Sequence, residues 1–80
     1  MKEIIFYTRK QCSLCEEAKQ TLLLVQEDIP FSLVERDISE KDEWTEQFGL
    51  MIPVVEIEGE IVQFGVVDFY SISKRLQQEL

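Results

Sequence analysis

The chain of 80 residues predicts a single α/β domain with the element order β-α-β-α-β-β-α, a four-stranded mixed sheet flanked by three helices. Three observations carry that expectation. Short apolar runs rich in β-branched and aromatic residues recur at 3–7, 31–36, 51–57 and 60–64, each of strand length. Apolar residues at helical spacing fill the intervals after residue 13 and after residue 68, and a shorter aromatic pair does so near residue 44. Only Glu58-Gly59 separates the third run from the fourth, which demands an antiparallel hairpin, whereas the first and second are far enough apart for a helical crossover and parallel pairing.

Taken in order, the first strand ends at Tyr7, and a helix is expected from about Ser13 to Gln26, with Leu14, Ala18, Leu22 and Val25 on one side of its 3.6-residue period. The run Leu22-Leu23-Leu24-Val25 covers more than one face, so burial against both the sheet and another element is expected. Pro30 stops that helix and pushes Ile29 toward extended geometry, and in the next strand Phe31 and Leu33 alternate toward one side. Ser39 is the expected N-cap of the second helix, with Asp42 three residues on and acids in the first turn. Trp44 and Phe48 share its face as core contacts, and Gly49 suits a left-handed C-terminal position. Pro53 lies at the opening of the third strand, where a missing donor is tolerated. Asp68 is a good cap or first-turn residue for the last helix, where Phe69, Ile72 and Leu76 recur at helical spacing.

Composition narrows the function. A formal net charge of −8 repels phosphates and so argues against nucleic acid, and it weakly disfavours anionic ligands, glutathione among them. No apolar run approaches membrane-spanning length and no signal-peptide pattern opens the chain; a cytoplasmic monomer that meets no membrane is expected.

The chemistry concentrates at Cys12 and Cys15, three positions apart where the first strand gives way to the first helix. The first turn of a helix presents backbone N–H groups without internal partners and roughly half a positive charge, which favours thiolate over thiol at Cys12. A thiolate with a second thiol one turn on is what dithiol–disulfide exchange needs. Glu16, one turn beyond Cys12, opposes this as a like charge, while Arg9 and Lys10 act the other way. Three blander readings stand beside it. A structural disulfide closing so short a loop contributes only about 2 kcal/mol on the chain-entropy picture. Half a zinc site would have to borrow carboxylates or a partner's cysteines, since the chain has no histidine and no further cysteine. Free cysteines also serve simply as small core residues.

The whole pattern resembles the thioredoxin fold in its minimal, glutaredoxin-type form. Tyr7-Thr8-Arg9-Lys10-Gln11-Cys12-Ser13-Leu14-Cys15 is similar to the glutaredoxin active-site segment, and Met51-Ile52-Pro53 is similar to the segment that ends in a cis-proline. The resemblance implies that Cys12 is the nucleophile and Cys15 the resolving thiol. It further implies that Arg9 stands where the family's basic residue meets a glutathione carboxylate, that Ile52-Pro53 is cis, and that the Ile52 backbone pairs with the substrate. Phe64-Gly65-Val66-Val67-Asp68 is similar to the glutathione-binding segment, with Gly65 and Asp68 at matching positions and a glycine and an aspartate replaced by Phe64 and Val67. The chain therefore resembles the small glutaredoxin-like proteins with a degraded glutathione motif. Ser13 and Leu14 replace the usual proline and tyrosine.

The function implied is a thiol–disulfide oxidoreductase acting on protein or small-molecule disulfides, with no metal and no bound cofactor. Its partners would be a disulfide-containing protein substrate and an electron source, either glutathione or a reductase. Two other classes remain open: a peptide-binding module without catalysis, and an iron–sulfur carrier in which two chains and two glutathiones share a cluster through Cys12.

Overall fold

The computed structural model describes residues 2–78. Its elements are β1 (Glu3–Thr8), α1 (Ser13–Asp28), β2 (Ser32–Asp37), a 3-10 turn (Ile38–Glu40), α2 (Asp42–Phe48), β3 (Val54–Ile57), β4 (Glu60–Phe64) and α3 (Phe69–Gln77). The expected order β-α-β-α-β-β-α is present, and the sheet is mixed, with strand order β2-β1-β3-β4. β1 pairs parallel to β2, with Phe6 opposite Glu35, and antiparallel to β3, with Phe6 opposite Val55; β3 pairs antiparallel to β4.

The period-2 alternation of the central strands separates two cores. Ile4 and Phe6 of β1, with Val55 and Ile57 of β3, join Cys15, Ala18, Leu22 and Val25 of α1 and Ile72 and Leu76 of α3. Tyr7 and Val54 join Ile38 and Phe48 in the other core. The chain leaves β1 for α1 in the first core and leaves β2 for α2 in the second. The carboxyl ends of β1 and β2 therefore diverge, the place where open α/β sheets present functional groups.

Several local expectations are corrected. The buried stripe of α1 is Cys15, Ala18, Leu22 and Val25, whereas Leu14 is 48% exposed and Leu24 54% exposed. Both registers fit a helical period, and seating the sulfur of Cys15 in the core selects the second. Ser39 does not cap α2; it lies inside the 3-10 turn, where Asp37 Oδ1 accepts from its N–H and its hydroxyl at 2.9 and 2.7 Å. Lys41 takes the cap position of α2 without a side-chain bond. Gly49 is not left-handed, with φ −54° and ψ −32°. Its lack of a side chain answers a close approach instead: a Cβ there would lie 2.6 Å from the carbonyl oxygen of Thr45. The third strand starts at Val54 and not Met51, because Met51 and Ile52 still donate to the Phe48 carbonyl beyond the end of α2.

The hairpin turn follows its sequence. Glu58 and Gly59 adopt φ of 53° and 79°, the paired positive values of a two-residue turn matched to strand twist. Asp68 caps α3, accepting from the N–H and hydroxyl of Ser71 at 2.9 and 2.6 Å.

Candidate active site

At the carboxyl end of β1 the chain turns through Gln11, a non-glycine residue at φ 57°, and enters α1 with Cys12 as its N-cap. Cys12 Sγ accepts from the N–H of Cys15 at 3.2 Å, so the sulfur stands where a capping oxygen would. Any negative charge on that sulfur meets the positive end of a 16-residue helix. Cys12 and Cys15 are joined by a disulfide, with Cα atoms 5.2 Å apart. The two sulfurs are inequivalent: Cys12 is half-buried, whereas Cys15 is 2% exposed and belongs to the core with Phe6 and Ala18. A reagent from solution therefore meets Cys12.

Pro53 is placed beside this loop by strand register. Tyr7 lies opposite Val54, so the start of β3 and the end of β1 share one edge of the sheet. The Ile52-Pro53 bond is cis and Pro53 is buried. The N–H of Ile52 donates to the Phe48 carbonyl at 3.0 Å, while its own carbonyl accepts no hydrogen bond among the described residues. The Ile52 backbone, which the resemblance pairs with a substrate, thus has its N–H engaged within the chain and its carbonyl unbonded among the described residues. Gly65 fastens the neighbouring turn: at φ 79° it donates to the carbonyls of Met51 and Pro53, at 3.0 and 2.9 Å.

Of the sequence-derived site residues, Cys12, Cys15, Ile52, Pro53 and Gly65 thus gather at one end of the sheet. Asp68 lies three residues beyond Gly65, but one oxygen of its carboxylate is committed to Ser71, whose hydroxyl and backbone bonds hold its pKa below the ordinary value. Arg9 lies on the other side of the disulfide. With Lys10 it borders an open pocket of about 400 Å3 between the ends of β1 and β2, which Cys15, Glu16, Lys19, Glu35, Asp37 and Glu40 also line. Lys19 is ion-paired to Glu35 at 3.1 Å. Asp37 is held below its ordinary pKa by its side-chain and backbone bonds to Ser39, with a further contribution from Lys10 and Arg9. Among the described residues no group of three or more His, Cys, Asp or Glu side chains is placed to hold a metal ion.

Three features of the site depart from or go beyond the sequence expectation: Leu14, expected on the apolar stripe of α1, is exposed beside the disulfide; Val66 is 71% exposed next to Gly65; and the Phe48 carbonyl holds the Ile52 N–H. Only the first had a sequence signal, the alternative stripe through Cys15.

A family model for the glutaredoxin-like domain (DUF836) matches residues 3–77. The chain belongs to this glutaredoxin-like family. A glutaredoxin-like protein of Dictyostelium discoideum, described as a YDR286C homolog, is 31% identical over 87 residues, covering 96% of this chain and 81% of that protein. Among solved structures, protein Ne2328 of Nitrosomonas europaea superposes with a TM-score of 0.80 at 24% identity, covering 92% of this chain and 89% of that one. Chloroplastic thioredoxin z superposes with a TM-score of 0.79 at 15% identity, covering 98% of this chain and 77% of its own. The glutaredoxin-like chain thus has the thioredoxin fold, with its Cys12–Cys15 pair bonded at the head of α1. No helix among the described residues is long and apolar enough to cross a membrane.

Proposed function

We propose that this glutaredoxin-like protein is a thiol–disulfide oxidoreductase that works through Cys12 and Cys15. One observation carries the reading: Cys12 caps α1, with its sulfur on a backbone donor, while its disulfide partner is buried. A structural staple has no use for that asymmetry, whereas exchange requires one accessible, stabilised thiolate and one thiol protected from solution.

In the reduced protein the Cys12 thiolate attacks one sulfur of a substrate disulfide. A Cys12–substrate bond forms, the substrate's own S–S bond breaks, and the first substrate thiolate leaves. Cys15 loses its proton and attacks Cys12 Sγ, forming the Cys12–Cys15 bond and releasing the second substrate thiolate. Both leaving thiolates take protons from water; the substrate gains two electrons and the protein loses two. A thiol or a dithiol reductase returns them. Ile52 and Pro53 form the wall beside Cys12, with the Ile52 carbonyl offered to a substrate N–H, and Gly65 holds that wall in place. Arg9 supplies positive charge near the thiolate. Glutathione is a weak donor in this reading, because Phe64 and Val67 replace a glycine and an acid and Asp68 is occupied as a cap.

The test is steady-state reduction of insulin, run once with glutathione and its reductase and once with thioredoxin reductase, for the parent protein and for Cys12→Ser. Turnover that depends on Cys12 and is faster with thioredoxin reductase is expected. Turnover in neither system, or equal turnover by Cys12→Ser, would defeat the proposal.

A further inference from the structure

The exposed apolar side chains of this protein are not scattered. Eight large ones are exposed among the described residues, and only Leu24 and Ile61 lie away from the disulfide end. The other six are Leu14 beside Cys15, Leu50 ahead of the cis-proline, and Phe64, Val66, Phe69 and Tyr70 from the end of β4 into the first turn of α3. Gly65 ties the second and third groups together through its bonds to Met51 and Pro53. Exposed apolar surface concentrated in one place marks a contact site.

Resting on the exchange reading above, we propose that the substrates are protein disulfides in which an apolar residue adjoins the half-cystine and basic residues flank it. Two further observations select that occupant. With the Ile52 N–H already bonded to Phe48, only one backbone hydrogen bond is on offer there, and the remaining recognition must come from side chains. Apolar contact with Leu14, Phe64 and Val66 is what the surface provides. The flanking charge follows from the field of the protein: its net charge is −8, and in the pocket on the other side of the disulfide Arg9, Lys10 and Lys19 are outnumbered by Glu16, Glu35, Asp37 and Glu40. Such a field draws in a basic segment and slows an anionic one. It also opposes a second copy of the chain on the same surface.

The experiment traps the first half-reaction. A Cys15→Ser variant, reduced, is mixed with four disulfides, and formation of the Cys12 adduct is timed by mass spectrometry. The probes are a lysine-flanked peptide disulfide with leucine beside each half-cystine, the same peptide with serine for leucine, glutathione disulfide, and the uncharged 2-hydroxyethyl disulfide. The leucine peptide is expected to react at least fivefold faster than the serine peptide and faster than glutathione disulfide. Adding Phe64→Ser and Val66→Ser, both exposed positions, should erase the leucine advantage while leaving 2-hydroxyethyl disulfide unaffected. Equal rates for the two peptides, or glutathione disulfide reacting fastest, would overturn the inference while leaving exchange chemistry intact. Adduct formation with none of the four would overturn both. Sedimentation of the parent protein as a dimer that Phe64→Ser disperses would give the surface to a second copy and end the proposal.

Discussion

Replacing Glu16 by glutamine should make Cys12 more reactive, by an amount that can be worked out. Glu16 follows Cys12 by one helical turn, and its N–H donates to the Cys12 carbonyl at 3.1 Å, which fixes the i, i+4 relation. Like charges at that spacing on an exposed helix face oppose each other by about 0.2–0.5 kcal/mol. Glu16 is exposed, so solvent screening keeps the value within that range. Removing it should raise the ratio of thiolate to thiol at Cys12 by roughly 1.4- to 2.3-fold, taking RT as about 0.6 kcal/mol. Lys10→Gln should act in the opposite direction and by less, since Lys10 is exposed and shares its field with Asp37. The assay is the second-order rate of iodoacetamide alkylation of the reduced protein against pH, with the modified residue identified by peptide mapping. In low salt the Glu16→Gln profile should shift to lower pH, and the difference should shrink as ionic strength rises toward 1 M, where the screening length is about 3 Å. A profile unchanged at low salt, or labelling predominantly at Cys15, would refute the assignment of the helix-capping sulfur as the reactive one.

Three other outcomes are expected. Leu22→Ala empties a fully buried position between α1 and the sheet and should cost about 2–5 kcal/mol, a large part of the roughly 4–12 kcal/mol expected of 80 residues; chemical denaturation would measure it. Tyr7→Phe removes the hydroxyl that accepts from Arg36 Nη1 at 3.0 Å but keeps the ring against Trp44 and Phe48, so a loss of about 1 kcal/mol in the same assay is expected, well short of a core truncation. Because Ser71 depresses the pKa of Asp68 in the folded chain, the stabilisation from that ionised cap is present above the ordinary value of 3.8 and lost as pH falls through the folded value. The difference in Tm between the parent and Asp68→Asn should therefore narrow as pH is lowered from 7 toward 3, and a constant difference would contradict the capping role.

Most of the fold was legible because local signals agreed with one another. The Glu58-Gly59 turn, the break at Pro30 and the acid at Asp68 each required one backbone geometry, and each has it. Reading failed where two placements satisfied the same local rule. Leu14 and Cys15 each begin a helical stripe through Ala18 and Leu22, and only the packing of α1 on β1 decides between them. Ser39 suits a helix start, but the helix that starts there is the 3-10 turn, capped by Asp37, and α2 begins later behind Lys41 without a side-chain cap. The cis bond at Pro53 came from family resemblance, since residue identity alone does not set the isomer. The capture of the Ile52 N–H by Phe48 had no sequence signal, because any residue can carry a backbone carbonyl. It is nonetheless what distinguishes this wall of the site from a free strand edge.

The exchange of one disulfide for another at Cys12 and Cys15 is tested most directly by a single-turnover measurement. Reduced protein is mixed with one equivalent of 2-hydroxyethyl disulfide, quenched with acid at intervals, and weighed intact while released thiol is titrated. A transient adduct should give way to a protein two hydrogens lighter than the reduced form, with two thiols released per chain and Cys12 linked to Cys15. An adduct that persists with only one thiol released, or a protein that keeps both thiols, would contradict the account.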